Sequence, residues 1–231
     1  MPGWVARFVV GGVMPMVPRW LRALAVAGCR AIAPALGLGA AAVQAAPNGT
    51  WLSQPQIWYY ASRQSLSGVM AQIRASNYRV VFLDVRKVSD AMQQEAVEAA
   101  RQQGLLPVVW VQSPQYRRMR ITDLVHEARY ADGIQVDDHF FANYTQADFY
   151  HLRQIYTKPI FCSIQPFQAG LVPRTGCNQL DVQCYTAQQF PNCLKLADQL
   201  GAVVSLSTEN TLGRRSQLAD RPFNTFLWHG F

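Results

Sequence analysis

Eight short apolar runs, separated by segments of helix length, constrain this chain more than any other feature. The runs fall at 56–60, 80–85, 107–112, 131–136, 159–164, 180–185, 202–207 and 224–228. Between the first two, Leu66, Val69, Met70 and Ile73 recur at helical spacing. Ser89 and Asp90 can cap the next helix, which stops at Gly104. Another helix opens near Thr145 and Gln146 and carries Phe149, Leu152 and Ile155. A strand buried on both faces reads as a continuous apolar run, and parallel neighbours need long right-handed crossovers. Eight such units predict an α/β fold, a closed (β/α)8 barrel of the TIM type. With far fewer than about 250 residues available, it must be compact, and several of its helices short or irregular. A doubly wound open sheet is the runner-up. No Gly-rich phosphate loop follows any run, so no nucleotide cofactor is expected.

The first 45 residues hold no acid and four arginines, Arg7, Arg19, Arg22 and Arg30. Apolar stretches follow and end in small residues, with Val43 and Ala45 at −3 and −1 of a cleavage site before Ala46. That pattern reads as a secretory signal segment spanning 1–45, leaving one domain over 46–231. Val26–Ala27–Gly28–Cys29 also resembles a lipobox, which would leave a lipid anchor at Cys29. No later run is long enough to span a bilayer. Without the four N-terminal arginines the net charge drops from +7 to +3. The basic balance is therefore largely a property of the targeting segment, and no nucleic-acid partner is implied.

Cys162, Cys177, Cys184 and Cys193 remain after that cleavage. An even number in an exported chain predicts two disulfides, with three pairings open. Zinc is the alternative, but no Cys-x-x-Cys supports it, and no metal is expected.

Polar residues repeatedly follow the apolar runs, and in a barrel these positions form the C-terminal rim where such folds keep their chemistry. Asp84 and Arg86 follow the second run, and Gln112 ends the third. Gln135, Asp137, Asp138 and His139 end the fourth, Ser163 and Gln165 the fifth, Glu209 and Asn210 the seventh, His229 the last. Of four glutamates, Glu95, Glu98 and Glu127 fall on expected helix surfaces, and only Glu209 follows a strand. Two carboxyl groups flanking a glycosidic bond can protonate the leaving oxygen and attack the anomeric carbon or activate water. Such an acid must hold its proton near neutral pH, which burial or a neighbouring carboxylate promotes. Strand alternation places Gln135, Asp137 and His139 on one face and Asp138 on the other, which favours Asp137 as general acid, Glu209 as nucleophile or base and Asp138 in support. A carboxyl separation of about 5–5.5 Å would give retention and about 6.5–9.5 Å inversion. Trp58, Tyr60, Trp110 and Trp228 are expected near strand ends, where flat rings could stack on a sugar, although core packing serves them equally well.

The stretch Asp132–Gly133–Ile134–Gln135–Val136–Asp137–Asp138–His139–Phe140 resembles the Asp-Gly-Ile-x-x-Asp-Asp-(Tyr/His)-Phe strand-four motif of glycosyl-hydrolase-like barrel proteins, including the bacterial family 10 glycosylhydrolase-like group. The resemblance implies an exported (β/α)8 protein that acts on, or binds, polysaccharide, with Asp137 or Asp138 in the acid position. It covers about ten residues. A carbohydrate partner is therefore expected, either as the substrate of a hydrolase or as the ligand of a non-catalytic binding barrel. A lyase or isomerase using the same carboxylates for proton transfer is a third class.

Overall fold

Strand β8 (Phe223–Phe226) pairs in parallel with β1 (Pro47–Leu52), and that contact closes the sheet. A computed structural model of the chain describes residues 47–111, 118–172, 176–207, 211–218, 220–226 and 228. In chain order β1 is followed by α1 (Gln54–Arg63), α2 (Leu66–Ala75), β2 (Val80–Leu83), α3 (Asp90–Gln102), β3 (Leu106–Val111) and α4 (Ile121–Glu127). Then come β4 (Gly133–Val136), α5 (Asp138–Asn143), α6 (Gln146–Ile155), β5 (Ile160–Ile164), β6 (Gln179–Cys184), α7 (Phe190–Leu200) and β7 (Val203–Ser207). Short 3-10 helices occupy Pro166–Leu171 and Leu212–Leu218. All eight strands are parallel and neighbours in sequence order, so the expected (β/α)8 barrel forms. Among the described residues no helix is long and apolar enough to cross a membrane.

The first strand is not where the apolar run placed it. Residues 56–60 lie inside α1, and the strand is the less apolar segment before it. The Ser53 N–H donates to Gln56 Oε1 at 2.8 Å, a reciprocal cap that starts a helix, and Pro55 sits in its first turn, where a missing N–H costs nothing. Ile57 and Tyr60, three apart, are the buried pair, while Trp58 and Tyr59 face outward. The other seven runs coincide with β2 to β8 within a few residues. Helix α5, six residues beginning at Asp138, was not expected from the pattern.

Two layers of core surround the strands. Leu52, Val81, Leu83, Val109, Ile134, Val136, Ile164, Val182 and Leu206 point outward and pack under the helices. Inward-facing Trp51, Val80, Phe82, Val108, Trp110 and Phe161 fill one side of the barrel interior, with Trp51 stacked on Phe82 at 4.4 Å. The other side is polar: Ser163 is in register with Asp181, and Gln183 with Ser205 and then Asn224. So narrow an interior leaves no room for side chains everywhere. A Cβ on Gly49 would meet Phe82 Cε2 at 2.6 Å, and one on Gly133 would meet Val108 and Phe161 at 3.2 and 3.3 Å. Gly201 ends α7 in the left-handed region, φ 62°, a position that favours a residue with no Cβ.

Of the two disulfides expected, one is formed, Cys162–Cys177, tying β5 to the segment that leads into β6. Cys184 and Cys193 are buried free thiols; Cys184 Sγ donates to the Thr186 carbonyl and Cys193 Sγ to the Gln183 carbonyl, each at 3.9 Å. Thiol alkylation of the denatured, unreduced chain is expected to label Cys184 and Cys193 and to spare Cys162 and Cys177. Closing a loop of 15 residues stabilises a fold by about 3 kcal/mol. Cys162→Ser is expected to lose about that much in urea denaturation.

Candidate active site

The C-terminal ends of β2, β3 and β4 bring most of the expected rim residues together. Gln135 and Asp137 follow the inward alternation of β4, in register with Trp110 and Phe161 at Gln135. Gln135 is fully buried in the barrel, its Oε1 accepting from Trp51 Nε1 at 2.8 Å, so it lies beneath the mouth and not on it. Asp137 is 1% exposed. Its Oδ1 accepts from the backbone N–H of His139 and Phe140 at 3.0 and 3.3 Å, which makes it the N-cap of α5. Its Oδ2 accepts from Trp110 Nε1 at 3.0 Å.

Asp138 is less enclosed, at 9% exposure. Gln165 Nε2 donates to its Oδ2 at 2.6 Å, and Gln168 Nε2 donates to its backbone carbonyl at 2.8 Å. His139 Nδ1 lies 3.5 Å from Asp137 Oδ2 and 3.3 Å from Asp138 Oδ1. The Asp137 carboxylate, with Asp138 behind it, holds the imidazole above its ordinary value against the opposing effect of burial. Across the mouth, Arg86 forks onto Asp84 with Nε at 2.8 Å and Nη2 at 2.6 Å, and its guanidinium stands 5.8 Å from the centroid of the Trp110 ring.

Further residues join the group that the pattern did not single out. Phe226 packs edge-on to Trp110 at 5.9 Å and to Tyr185 at 6.2 Å, making an aromatic floor. The alternation Asp181, Gln183, Tyr185 along and just past β6 is the signal that Tyr185 shares the interior face. Glu127, read from sequence as a helix-surface charge, is half-buried; burial first and then the Asp84 carboxylate push it up.

Three expected ring contacts are elsewhere. Trp58 is 42% exposed on α1, and Tyr60 faces the outer core, because residues 56–60 form a helix and not a strand. Trp228 belongs to the outer core and meets Tyr78 edge-on at 5.7 Å. Glu209, Gln112, Asn210 and His229 lie outside the described residues.

Asp137, Asp138 and His139 offer ligand atoms within 4.8 Å of one another, the grouping of metal-ligand type among the described residues. The Asp137 oxygens are already committed to the α5 cap and the indole, and three consecutive residues approach an ion from one side only. The described cavities lie on the outer wall of the barrel, such as a groove of 380 Å³ between α4 and α6 lined by Val125, Arg129 and Tyr156. The chemistry-bearing cluster is at the mouth, and hydrogen-bonding geometry identifies it.

No protein-family model and no curated protein matches the chain. Solved structures do. The truncated form of 3-deoxy-D-arabino-heptulosonate 7-phosphate synthase from Thermotoga maritima aligns with TM-score 0.55 and 12% identity over 78% of this chain and 73% of that one. A variant of the citrate synthase SbnG aligns with TM-score 0.52 and 14% identity over 80% and 86%. A dipeptide epimerase from Enterococcus faecalis aligns with TM-score 0.50 and 10% identity over 79% and 55%. At these identities the likeness shows the fold alone, a TIM-type barrel.

Removing the Asp137 side chain uncaps α5 and strands a buried indole N–H. Asp137→Ala is expected to cost about 2–4 kcal/mol in urea denaturation. The His139 titration followed by NMR is expected to have its midpoint above 6.5 and to fall back toward it in Asp137→Asn. Because the folded value is the raised one, stability from this pairing is complete below the ordinary value of 6.5 and is lost as pH rises through the folded value.

Proposed function

We propose that this chain is an exported glycoside hydrolase that binds a polysaccharide or cell-envelope glycan across the C-terminal mouth of the barrel. Support comes first from one observation: Asp138 presents a partly accessible carboxylate at the end of β4, braced by Gln165 and beside His139. The aromatic floor of Trp110, Phe226 and Tyr185 offers flat apolar surface to a pyranose ring, and Arg86 with Asp84 offers polar groups for its hydroxyls. The strand-four motif resembles that of glycosyl-hydrolase-like barrels, in keeping with such a ligand.

In this assignment Asp138 takes the acid role in place of Asp137. A group that must give a proton to substrate needs a free oxygen within reach of it, and both Asp137 oxygens are occupied. Asp137 holds α5, Trp110 and His139 in place. Glu209 is proposed as the second carboxylate, nucleophile or base.

The saturation of Asp137 also favours a second reading, a barrel that binds glycan without turning it over. Reducing-sugar release from a panel of plant, fungal and bacterial wall glycans separates the two. Asp138→Asn and Glu209→Gln are each expected to lower turnover about 10²–10⁴-fold while binding persists. Full activity in Asp138→Asn would sink its assignment as the acid. Binding of a glycan by the intact chain, with no products from it, would select the second reading.

A further inference from the structure

The polar half of the barrel interior is a hydrogen-bonded chain whose direction is set from both ends. Indole N–H can only donate, and Trp51 gives its proton to Gln135 Oε1 at 2.8 Å. The Gln135 amide lies near enough to Asp181 to strengthen its acidity, but its Nε2 makes no hydrogen bond. The hydroxyls of Ser163 and Ser205 both donate to Asp181 Oδ2, at 2.7 and 2.5 Å. With its proton so placed, Ser163 Oγ accepts from Gln183 Nε2 at 2.7 Å. The Gln183 carbonyl then faces outward and accepts the Tyr185 hydroxyl at 2.6 Å. From Tyr185 through Gln183 and Ser163 every donor points inward, and Asp181 is where they end.

Tyr185 is the outer end. It is half-buried just past β6, edge-on to Phe226, and close enough to Asp137 and Asp138 that both carboxylates, after burial itself, push its hydroxyl up. Its only proton is committed to Gln183, so what it offers the mouth is lone pairs.

We propose that Tyr185 is a ligand-contacting residue of the mouth that reads a hydroxyl of the bound glycan as an acceptor only, and that Asp181 is the positioning residue that enforces this polarity through Ser163 and Gln183. The ligand's identity rests on the glycan reading above; the polarity of Tyr185 does not. Asp181 is pushed up to about 7, by burial first, with Ser205, Ser163 and Gln135 opposing and Asp137 adding to it. Asp137 is the charged group that acts on it; its other interior neighbours, Gln135, Ser163 and Ser205, are neutral.

Replacing the acid by its amide makes a sharp forecast. Gln135 Nε2 and Asp181 Oδ1 are both buried without a partner, so in Asp181→Asn the amide oxygen is expected on the side of the Gln135 donor and the new NH₂ toward the two serines. The serines become acceptors, Ser163 turns its proton to Gln183, the Gln183 amide reverses, and Tyr185 is left free to donate outward. Ultraviolet resonance Raman spectra of the intact chain minus those of Tyr185→Phe isolate the Tyr185 ring, whose Fermi doublet distinguishes a phenol that donates from one that accepts. Above the Asp181 value of about 7, the wild type is expected to show the donor pattern and Asp181→Asn the acceptor pattern. Should Asp181→Asn fail to fold by circular dichroism, Ser163→Ala cuts the same chain and is expected to lose the donor pattern. An acceptor pattern in the wild type, or a donor pattern unchanged in the folded variants, overturns the proposal.

Calorimetry with chitotetraose, cellotetraose, xylotetraose and mannotetraose provides the second arm. Tyr185→Phe is expected to weaken the tightest of these about fivefold, the loss of one neutral hydrogen bond. An unchanged affinity overturns the ligand contact. Absence of binding by all four, with the Raman result as expected, supports the enforced polarity and counts against the glycan reading alone.

Discussion

Where β8 meets β1, Thr225 lies opposite Thr50 and Asn224 opposite Gly49, and the Thr50 hydroxyl donates to the Thr225 carbonyl at 3.0 Å. Tyr78, from the turn before β2, bonds the Thr225 hydroxyl at 2.5 Å. This seam joins the two ends of the described chain, 175 residues apart, and leaves the sheet without an open edge. Closure is also what makes a site. In an open sheet the residues after β2, β4 and β6 would be strung along a line; in a closed one they face each other across a mouth.

A closed eight-stranded barrel has little interior, and this one divides it unequally. Aromatic rings of β1 to β3, joined by Phe161 of β5 and Phe226 of β8, occupy one side and polar side chains of β5 to β8 the other, with Gln135 of β4 bonded to Trp51. Burying a carboxylate there is costly unless donors surround it. Asp181 has the hydroxyls of Ser163 and Ser205, and those donors are why the polar half is directional and not merely polar. The same wiring runs out to Tyr185, so the chemistry of the mouth is partly decided in the dry interior beneath it.

The strand-four acids show how position divides labour between neighbours. Asp137 points inward at the end of β4 and meets an indole and two backbone N–H groups, which use it up. Asp138, one residue on, starts α5 and keeps a more accessible carboxylate. Alternation along the strand, which is local, correctly separates the two faces. That the inward face at this level is already filled by Trp110 depends on β3, 27 residues away in sequence.

The barrel itself was legible because strands buried on both faces read as largely apolar runs, and seven of the eight runs coincide with strands even where β6 and β8 carry buried polar residues. Caps at Ser89 and Thr145 and the end of α7 at Gly201 were legible for the same reason, since their hydrogen bonds and backbone angles are made within a few residues. The first strand was not. Residues 56–60 have strand-like composition, but the Ser53–Gln56 cap turns them into a helix, while Asn48, Gly49 and Thr50 become strand because β2 and β8 pair with them on both sides. Nor did spacing decide which cysteines pair, or that Trp58, Tyr60 and Trp228 would leave the mouth while Tyr185 and Phe226 line it. By itself the sequence determined the parallel barrel and the acids at the end of its fourth strand, because burial and alternation are written locally. Only the tertiary structure decided which of those acids is spent on the fold, because that depends on what the neighbouring strands bring to meet it.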